Sequence, residues 1–359
     1  MRLALTLLIL LALSGCSTLG YYGQSVAGHF ALMSSSRPID AVVEDPRVAK
    51  ELRETLRHVE AMRLFATNEL GLPDNGSYRQ YTALDREAVV WSLVATGEFS
   101  LEPQTWCYPV IGCAGYRGYF SRKAARAAAT LFETEGRDVA VNPVPAYSTL
   151  GWFPDPLPST VAGWPLFRIA ELIFHELAHQ RLYVSDDSSF NEGFATAVAR
   201  YGVERWLSGP ESLAERREWH LRKERKQGFN ALIKEASERL DALYKVELSD
   251  RVKRDRKASE FRRLKGQYRI LKRAWGDYRG YDRWFDQPLN NAYIASVVTY
   301  ESSAPAFEHL LRRLDGDMRR FYLACEKLAE MSPPRRKAAL DRLLEDESAL
   351  PLELRADAS

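Results

Sequence analysis

The stretch that most constrains this chain is Ile173-Phe174-His175-Glu176-Leu177-Ala178-His179-Gln180, an H-E-x-x-H pattern inside the apolar run from Leu166 to Leu182. No glycine or proline interrupts residues 166–183, so the run predicts a helix. On a helix, side chains four apart share a face. His175 and His179 then aim at one point, where two neutral imidazoles can hold one divalent metal ion. Glu176 stands next to the first histidine and can reach water in an open coordination position as a general base. A bare pattern of this kind also arises by chance, and a core helix can carry a histidine that only satisfies a buried hydrogen bond.

A second anchor lies one short loop downstream. Ser185-Asp186-Asp187-Ser188-Ser189 is a polar turn whose residues favour capping a helix, and Phe190-Asn191-Glu192-Gly193-Phe194-Ala195 follows it. Glu192, 13 residues after His179, would stand in the first turn of a second helix and supply a carboxylate ligand. Two histidines and one glutamate leave the fourth position of a zinc ion to water, which a catalytic site needs.

These motifs carry a resemblance. His-Glu-Leu-Ala-His-Gln at 175–180 followed by Asn-Glu-Gly-Phe-Ala at 191–195 resembles the gluzincin metallopeptidases, above all the zinc aminopeptidases of the M1 type, in which the second-motif glutamate is the third ligand. Over about residues 20 to 325 the chain is also similar to a family of bacterial lipoproteins taken to be zinc aminopeptidases. The matching stretches are Trp106-Cys107-Tyr108-Pro109, Gly112-Cys113, Tyr116-Arg117-Gly118-Tyr119-Phe120, Ala146-Tyr147-Ser148-Thr149-Leu150-Gly151-Trp152-Phe153, the two metal motifs and Asn290-Asn291-Ala292.

The start of the chain has its own logic. Met1-Arg2 precedes an apolar run of 11 residues, Leu3 to Leu13, too short for an ordinary membrane-spanning helix. Leu13-Ser14-Gly15-Cys16 then looks like a bacterial lipobox. Residues 1–15 read as a signal peptide, with Cys16 lipidated after cleavage; a plain secretory signal or an uncleaved anchor is the other reading. Several acyl chains on one residue hold a protein firmly to a membrane. Ser17 resembles the sorting pattern for the outer membrane, so the expected place is the cell envelope, facing the periplasm. Residues 16–40 read as a tether, although Gly23 to Met33 could dock as a helix. Residues 41–350 then form the zincin-like peptidase domain. Net charge is only +2, with 27% charged and 46% hydrophobic residues, a balance that supports a sizeable core and gives no reason to expect nucleic acid.

Asp45-Pro46 reads as the cap and start of a helix running to about Leu70, and Arg122 to Glu135 as another. Val89 to Ala95, Asp138 to Val141 and Pro145 to Phe153 read as strands. Cys107 and Cys113 predict a disulfide in an exported chain, against a second metal site that has no neighbouring His or Cys. Cys325 reads as a buried free thiol. Residues 211–280 are highly charged with sparse apolar positions, Leu232, Ile233, Leu240, Phe261, Leu264 and Tyr268 among them. They predict an antiparallel helical hairpin. Asn290 to Tyr300 fits a further helix.

The expected fold is therefore α+β, predominantly helical: a zincin-like core with a small sheet and a long helical hairpin. The resemblance implies one Zn²⁺ on His175, His179 and Glu192, Glu176 as general base, and a peptide substrate. It also implies a strand beside the metal helix that pairs with the peptide backbone. That role falls on Ala146 to Phe153, with Tyr147, Ser148, Thr149 and Gly151 as substrate-binding residues. A tyrosine hydroxyl is the usual oxyanion donor in this group, and Tyr300, then Tyr293, are the candidates. Asp187 is a candidate acceptor behind a ligand histidine, or an ordinary turn residue. One departure stands out: residues 146–153 lack the glutamate with which M1-like enzymes grip the substrate's α-ammonium group. Asp155 and Glu171 are the nearest carboxylates. A zinc aminopeptidase is the first reading, an endopeptidase or oligopeptidase the second, and a non-catalytic envelope scaffold lipoprotein the third.

Overall fold

The computed structural model describes residues 20–108, 112–146, 148–298 and 303–345. In chain order the elements are α1 (20–34), β1 (Ser36–Pro38), α2 (Ile39–Glu44), α3 (Lys50–Asn68), β2 (Gln80–Thr82), β3 (Val90–Thr96), β4 (Trp106–Tyr108), β5 (Gly112–Ala114) and β6 (Arg117–Tyr119). Then come α4 (Arg122–Thr134), β7 (Asp138–Val144), β8 (Leu157–Pro158), α5 (Ser159–Ala162), α6 (Leu166–Arg181), α7 (Ser188–Trp206), α8 (Leu213–Lys245), α9 (Asp250–Ala274), α10 (Asp282–Phe285), α11 (Asn291–Val298), α12 (Ala304–Arg313), α13 (Met318–Glu330) and α14 (Pro333–Glu345). The fold is mostly helical with small sheets, and no described helix is long and apolar enough to cross a membrane.

The main core is built around α6 and α7. Ile169, Ile173, Phe174 and Leu177 of α6 pack with Phe190, Phe194 and Val198 of α7, and α3, α12, α13 and α14 close around them. Rings lock the layers together: Phe194 stacks on Phe321 at 5.9 Å, and Phe190 meets Phe307 edge-on at 5.1 Å. Cys325 is a buried free thiol in this core.

A second layer is the antiparallel sheet β6-β3-β7. Trp91, Leu93 and Ala95 point to α4, while Val94 points to Ala292, Tyr293 and Ala295 of α11. Both faces of β3 are covered, which explains its almost unbroken apolar sequence. The sheet β1-β2-β8 ties the N-terminal segment to the residues just before α6. Of the two readings open for the stretch after Cys16, the structure has a helix, α1. Its Tyr21 packs edge-on to Tyr119 and under the Arg117 guanidinium, 3.7 Å from the ring.

The hairpin α8–α9 closes on Phe229, Ile233, Leu240, Phe261, Leu264 and Tyr268. Asn291 joins it to the sheet. Its side-chain amide donates to the Glu98 carbonyl at 3.0 Å and the Ser100 carbonyl at 3.1 Å. Its oxygen accepts from the Tyr244 hydroxyl at 2.8 Å, and its backbone N–H donates to Asp138. The Asn290-Asn291 pair is thus a structural joint.

Two sequence expectations fail locally. The helix expected from Asp45-Pro46 begins at Lys50 instead, because α2 occupies residues 39–44 and the Asp45 carboxylate accepts from Arg47 N–H at 3.1 Å in the turn between them. The strand expected over residues 145–153 is a loop. Asp155 Oδ2 accepts from Thr149 N–H at 2.9 Å and the Ser148 hydroxyl at 3.2 Å. Thr149 Oγ1 accepts from Phe153 N–H at 3.0 Å, and Leu150 and Gly151 turn at φ 55° and 84°. Local side-chain bonds have taken the place of a ladder partner. Of this stretch Tyr147 lies outside the described residues, as do Cys16 and Tyr300.

Cys107 and Cys113 face each other across β4–β5 and are joined as a disulfide. Alkylation of the folded protein followed by mass spectrometry should leave both unlabelled; labelling of the pair without reductant would contradict the bridge. Gly193 of α7 lies where a Cβ would meet Ser303 Cβ at 2.8 Å and its backbone carbon at 2.9 Å. Alanine gains ~1 kcal/mol of helix propensity, but backbone at that distance cannot yield, and overpacking costs ~1–3 kcal/mol. Gly193→Ala should lose up to about 2 kcal/mol in a denaturant titration; a stabilised variant would contradict the close approach of α12 to α7.

Candidate active site

The site is made by two consecutive helices. α6 starts after Pro165 and stops where Leu182 turns extended at φ −150°. The loop back to α7 is held by Asn191, whose side chain donates to the Val184 carbonyl at 2.7 Å and accepts from Val184 N–H at 2.8 Å. Asp187 caps α7 by accepting from Phe190 N–H at 3.0 Å, and its other oxygen lies 3.2 Å from Arg336 of α14. It is therefore committed to the helix end and not to a histidine. His179 Nδ1 is buried with no partner among the described residues. The residues at 191–194 divide the work among them. Asn191 pins the loop, Glu192 faces α6, Gly193 admits α12 and Phe194 fills the core.

This places three donor groups together. His175 Nε2 and His179 Nε2 are 3.1 Å apart, and Glu192 Oε2 and Oε1 lie 3.3 Å and 3.6 Å from them respectively. A tetrahedral ion with bonds of ~2.0–2.1 Å needs ligand-to-ligand edges of about 3.3 Å. The three separations straddle that value, so the cluster fits a small divalent cation. The side chains of His175 and Glu192 keep 22% and 23% of their surface exposed and His179 only 7%, so the open side of the cluster faces outward between His175 and Glu192.

The electrostatics agree with a site built for positive charge. Burial works against the His175 imidazolium, but hydrogen bonding and charge from Glu192, with Glu176 behind, outweigh it and raise its pKa. Burial and then the charge of His175 pull His179 down to about 4. Glu192 is lowered on balance: burial raises it, and the His175 bond and the two histidines more than offset that. Glu176 is pushed up to about 7, chiefly by burial, with Glu192 and Asp155 adding to the rise. A carboxyl that titrates near neutrality can both accept and return a proton.

Around Glu176 lies a polar nest. Ser148 hydrogen-bonds it and also donates to Asp155. Asp155 is 1% exposed, with burial raising its pKa. Tyr78, which nothing in its sequence setting singles out, belongs here too. Its N–H donates to the Asp155 carbonyl at 2.7 Å and its backbone sits at φ 58°, unusual for an aromatic residue. Its hydroxyl is buried without a partner among the described residues, and the charges of Glu176 and Asp155 act on it after burial itself. The loop carrying Tyr78 is held to α6 by Gln180, which accepts from Asn75 at 2.7 Å and donates to Ser77.

Other candidates lie elsewhere. Tyr293 buries its ring against Val94 and Ala140 beneath the sheet. Gly151 approaches Gln180, the residue after His179. Glu171 stands half-buried one turn before His175. The hairpin contributes more than sequence reasoning assigned to it, since the charge of Lys226 on α8 bears on both His175 and Glu192. A mainly apolar recess of about 310 Å³ opens among Val94, Pro103, Val144, Pro145 and Ala295. Pro145 in its wall is three residues before Ser148. A cavity of about 410 Å³ lined by Arg200, Trp219 and Glu308 lies on the other side of α7 from Glu192.

Fold and cluster together define a mostly helical protein with a His/His/Glu group capable of holding a metal ion. The chain belongs to the family described as "Putative aminopeptidase", which spans residues 20–340. No curated protein and no solved structure matches it.

Metal binding should respond to both ligand and proton. Glu192→Ala should weaken Zn²⁺ binding by more than the ~10–100-fold that losing a group behind a ligand costs. Because His175 is raised above its ordinary value, its proton must leave when metal enters. The fall in affinity should therefore begin above the ordinary histidine value and reach about tenfold per pH unit beneath it. Competition titration with a chelator between about pH 5.5 and 7.5 reads both effects, and an affinity independent of pH would contradict the ligand role of His175.

Proposed function

We propose that the protein is a zinc-dependent peptidase of the gluzincin type with a zincin-like core, acting as an aminopeptidase. The observation that carries this reading is the meeting of His175 Nε2, His179 Nε2 and the Glu192 carboxylate beside a half-buried glutamate whose pKa is raised to about 7. Family membership supports the peptide substrate. When bound, zinc supplies Lewis acidity, polarising a carbonyl and making water acidic near neutral pH.

The chain's own residues do the rest. Glu176 takes a proton from the attacking water, whose oxygen bonds to the scissile carbonyl carbon. The same carboxyl returns the proton to the amine as the C–N bond breaks. Ser148 orients Glu176 from the loop that Asp155 pins. Ser148, Thr149 and Gly151, with Tyr147, line the substrate side in this reading, although through a loop and not a strand. Tyr300 is proposed to donate to the oxyanion. Residues 41–350 form the peptidase domain, lipidated Cys16 tethers it to the envelope membrane, and the periplasm is its place of work.

A second reading, endopeptidase or oligopeptidase, draws on one observation. Asp155 Oδ2 is already engaged by Ser148 and Thr149, and the charge of Glu171 acts on Arg168, so neither carboxylate is set aside for an α-ammonium group.

Glu176→Gln should keep stoichiometric zinc and lose hydrolysis by about 10²–10⁴-fold. Loss of metal together with activity would place Glu176 among the ligands instead. Peptides with a free amine should be cleaved and their N-acetylated counterparts should not. Equal rates on both would exclude the aminopeptidase reading and leave the zinc peptidase standing.

A further inference from the structure

The face of α6 that carries the two histidines extends beyond the metal ligands. Arg168, Glu171, His175 and His179 are spaced by three, four and four residues along α6 and share one face. Arg168 is two helical turns before His175, a rise of about 10 Å. Its guanidinium carbon lies over the Trp164 ring, 3.8 Å from the ring centre, which restricts its direction.

Two cations of α8 act on the same stretch of α6. Arg222 is an electrostatic neighbour of Arg168, and Lys226, one turn further along α8, neighbours His175 and Glu192. Tyr278 and Tyr281 flank Arg168 as well, and Tyr281 is held by stacking on Phe229 at 4.3 Å. Arg168 and Arg222 are both half-buried, and neither has a hydrogen bond or ion pair from its side chain among the described residues. Two guanidiniums drawn together in partly desolvated surroundings repel one another. Among the groups that act most on Arg168, Glu171 is the carboxylate; it offsets a single charge, so this end of the face keeps a demand for an anion.

We propose that Arg168 and Arg222 bind the free C-terminal carboxylate of a short peptide whose scissile bond lies at the His175–His179–Glu192 cluster. An extended peptide advances ~3.3 Å per residue, so about 10 Å corresponds to a carboxylate two to three residues past the bond that is cut. Planar guanidinium forks suit a carboxylate in geometry as well as charge. The inference rests on the peptidase reading above and narrows its substrate to short peptides with a free C-terminus.

The test compares tri- and tetra-alanine as free acids and as C-terminal amides, using zinc-loaded protein. The carboxylate is remote from the reacting atoms, so the acid should be favoured in KM, by about ten- to hundredfold, with kcat little changed. Arg222→Gln should bring the acid-to-amide ratio close to one, and Arg222→Lys should keep part of it. Calorimetric binding of the same peptides to Glu176→Gln protein gives a second reading that needs no turnover. A binding preference for the acid supports the site even if hydrolysis fails, whereas cleavage of acid and amide at equal KM overturns it and leaves the peptidase intact. A third arm uses an amide carrying Asp at the third residue. If that peptide binds as tightly as the tri-alanine acid, the arginines read side-chain carboxylates and the terminal assignment is overturned.

Discussion

Everything at this site follows from holding two imidazole nitrogens and a carboxylate within 3.1–3.6 Å of one another. The charge of Glu192 raises the His175 pKa, and the two histidines lower that of Glu192, so the three groups together favour positive charge between them. The surrounding packing leaves the three groups little freedom to move apart. Ile173, Phe174, Leu177 and Ala178, the residues between and around the histidines, are wholly buried in the main core. Asn191, Gly193 and Phe194 fix Glu192 from both sides along α7. The demand for positive charge is thus written into the core and not into the side chains of the cluster alone.

The same logic explains which residues were legible in the sequence. The helix α6 has a run without breakers and a four-residue histidine repeat, so its period alone fixes which side chains meet. Glu192 was legible because a polar turn precedes it and the return helix brings its first turn back to α6. The hairpin was legible from Leu232, Ile233, Leu240, Leu264 and Tyr268, whose spacing survives the heavy charge around them. The expected strand at 145–153 failed because Asp155 reaches back to Ser148 and Thr149, a tertiary use of one carboxylate that no local propensity encodes. Tyr78 was invisible for a related reason. Its importance lies in where a turn buries it beside Glu176, and its residue type in a polar turn suggests nothing.

The charged hairpin gains a role from this placement. Its charge pattern reads equally well as a solvated surface, but Asn291 and Tyr244 anchor its base to the sheet, and from there Arg222 acts on Arg168 and Lys226 on His175 and Glu192. The charges that act on the cluster therefore include some from a segment more than forty residues beyond His175. Charge on α8 can then influence both the ligands and whatever lies along the α6 floor. α8 and α9 are thus part of the site's electrostatics and not an appendage to it.

The central claim is the ligand set, and X-ray absorption at the zinc edge of the metal-loaded protein tests it most directly. The account predicts a four-coordinate ion with two imidazole nitrogens and oxygen completing the shell, all at ~2.0–2.2 Å. A sulfur scatterer at ~2.3 Å, or a spectrum unchanged when His175 and His179 are both replaced by alanine, would contradict it.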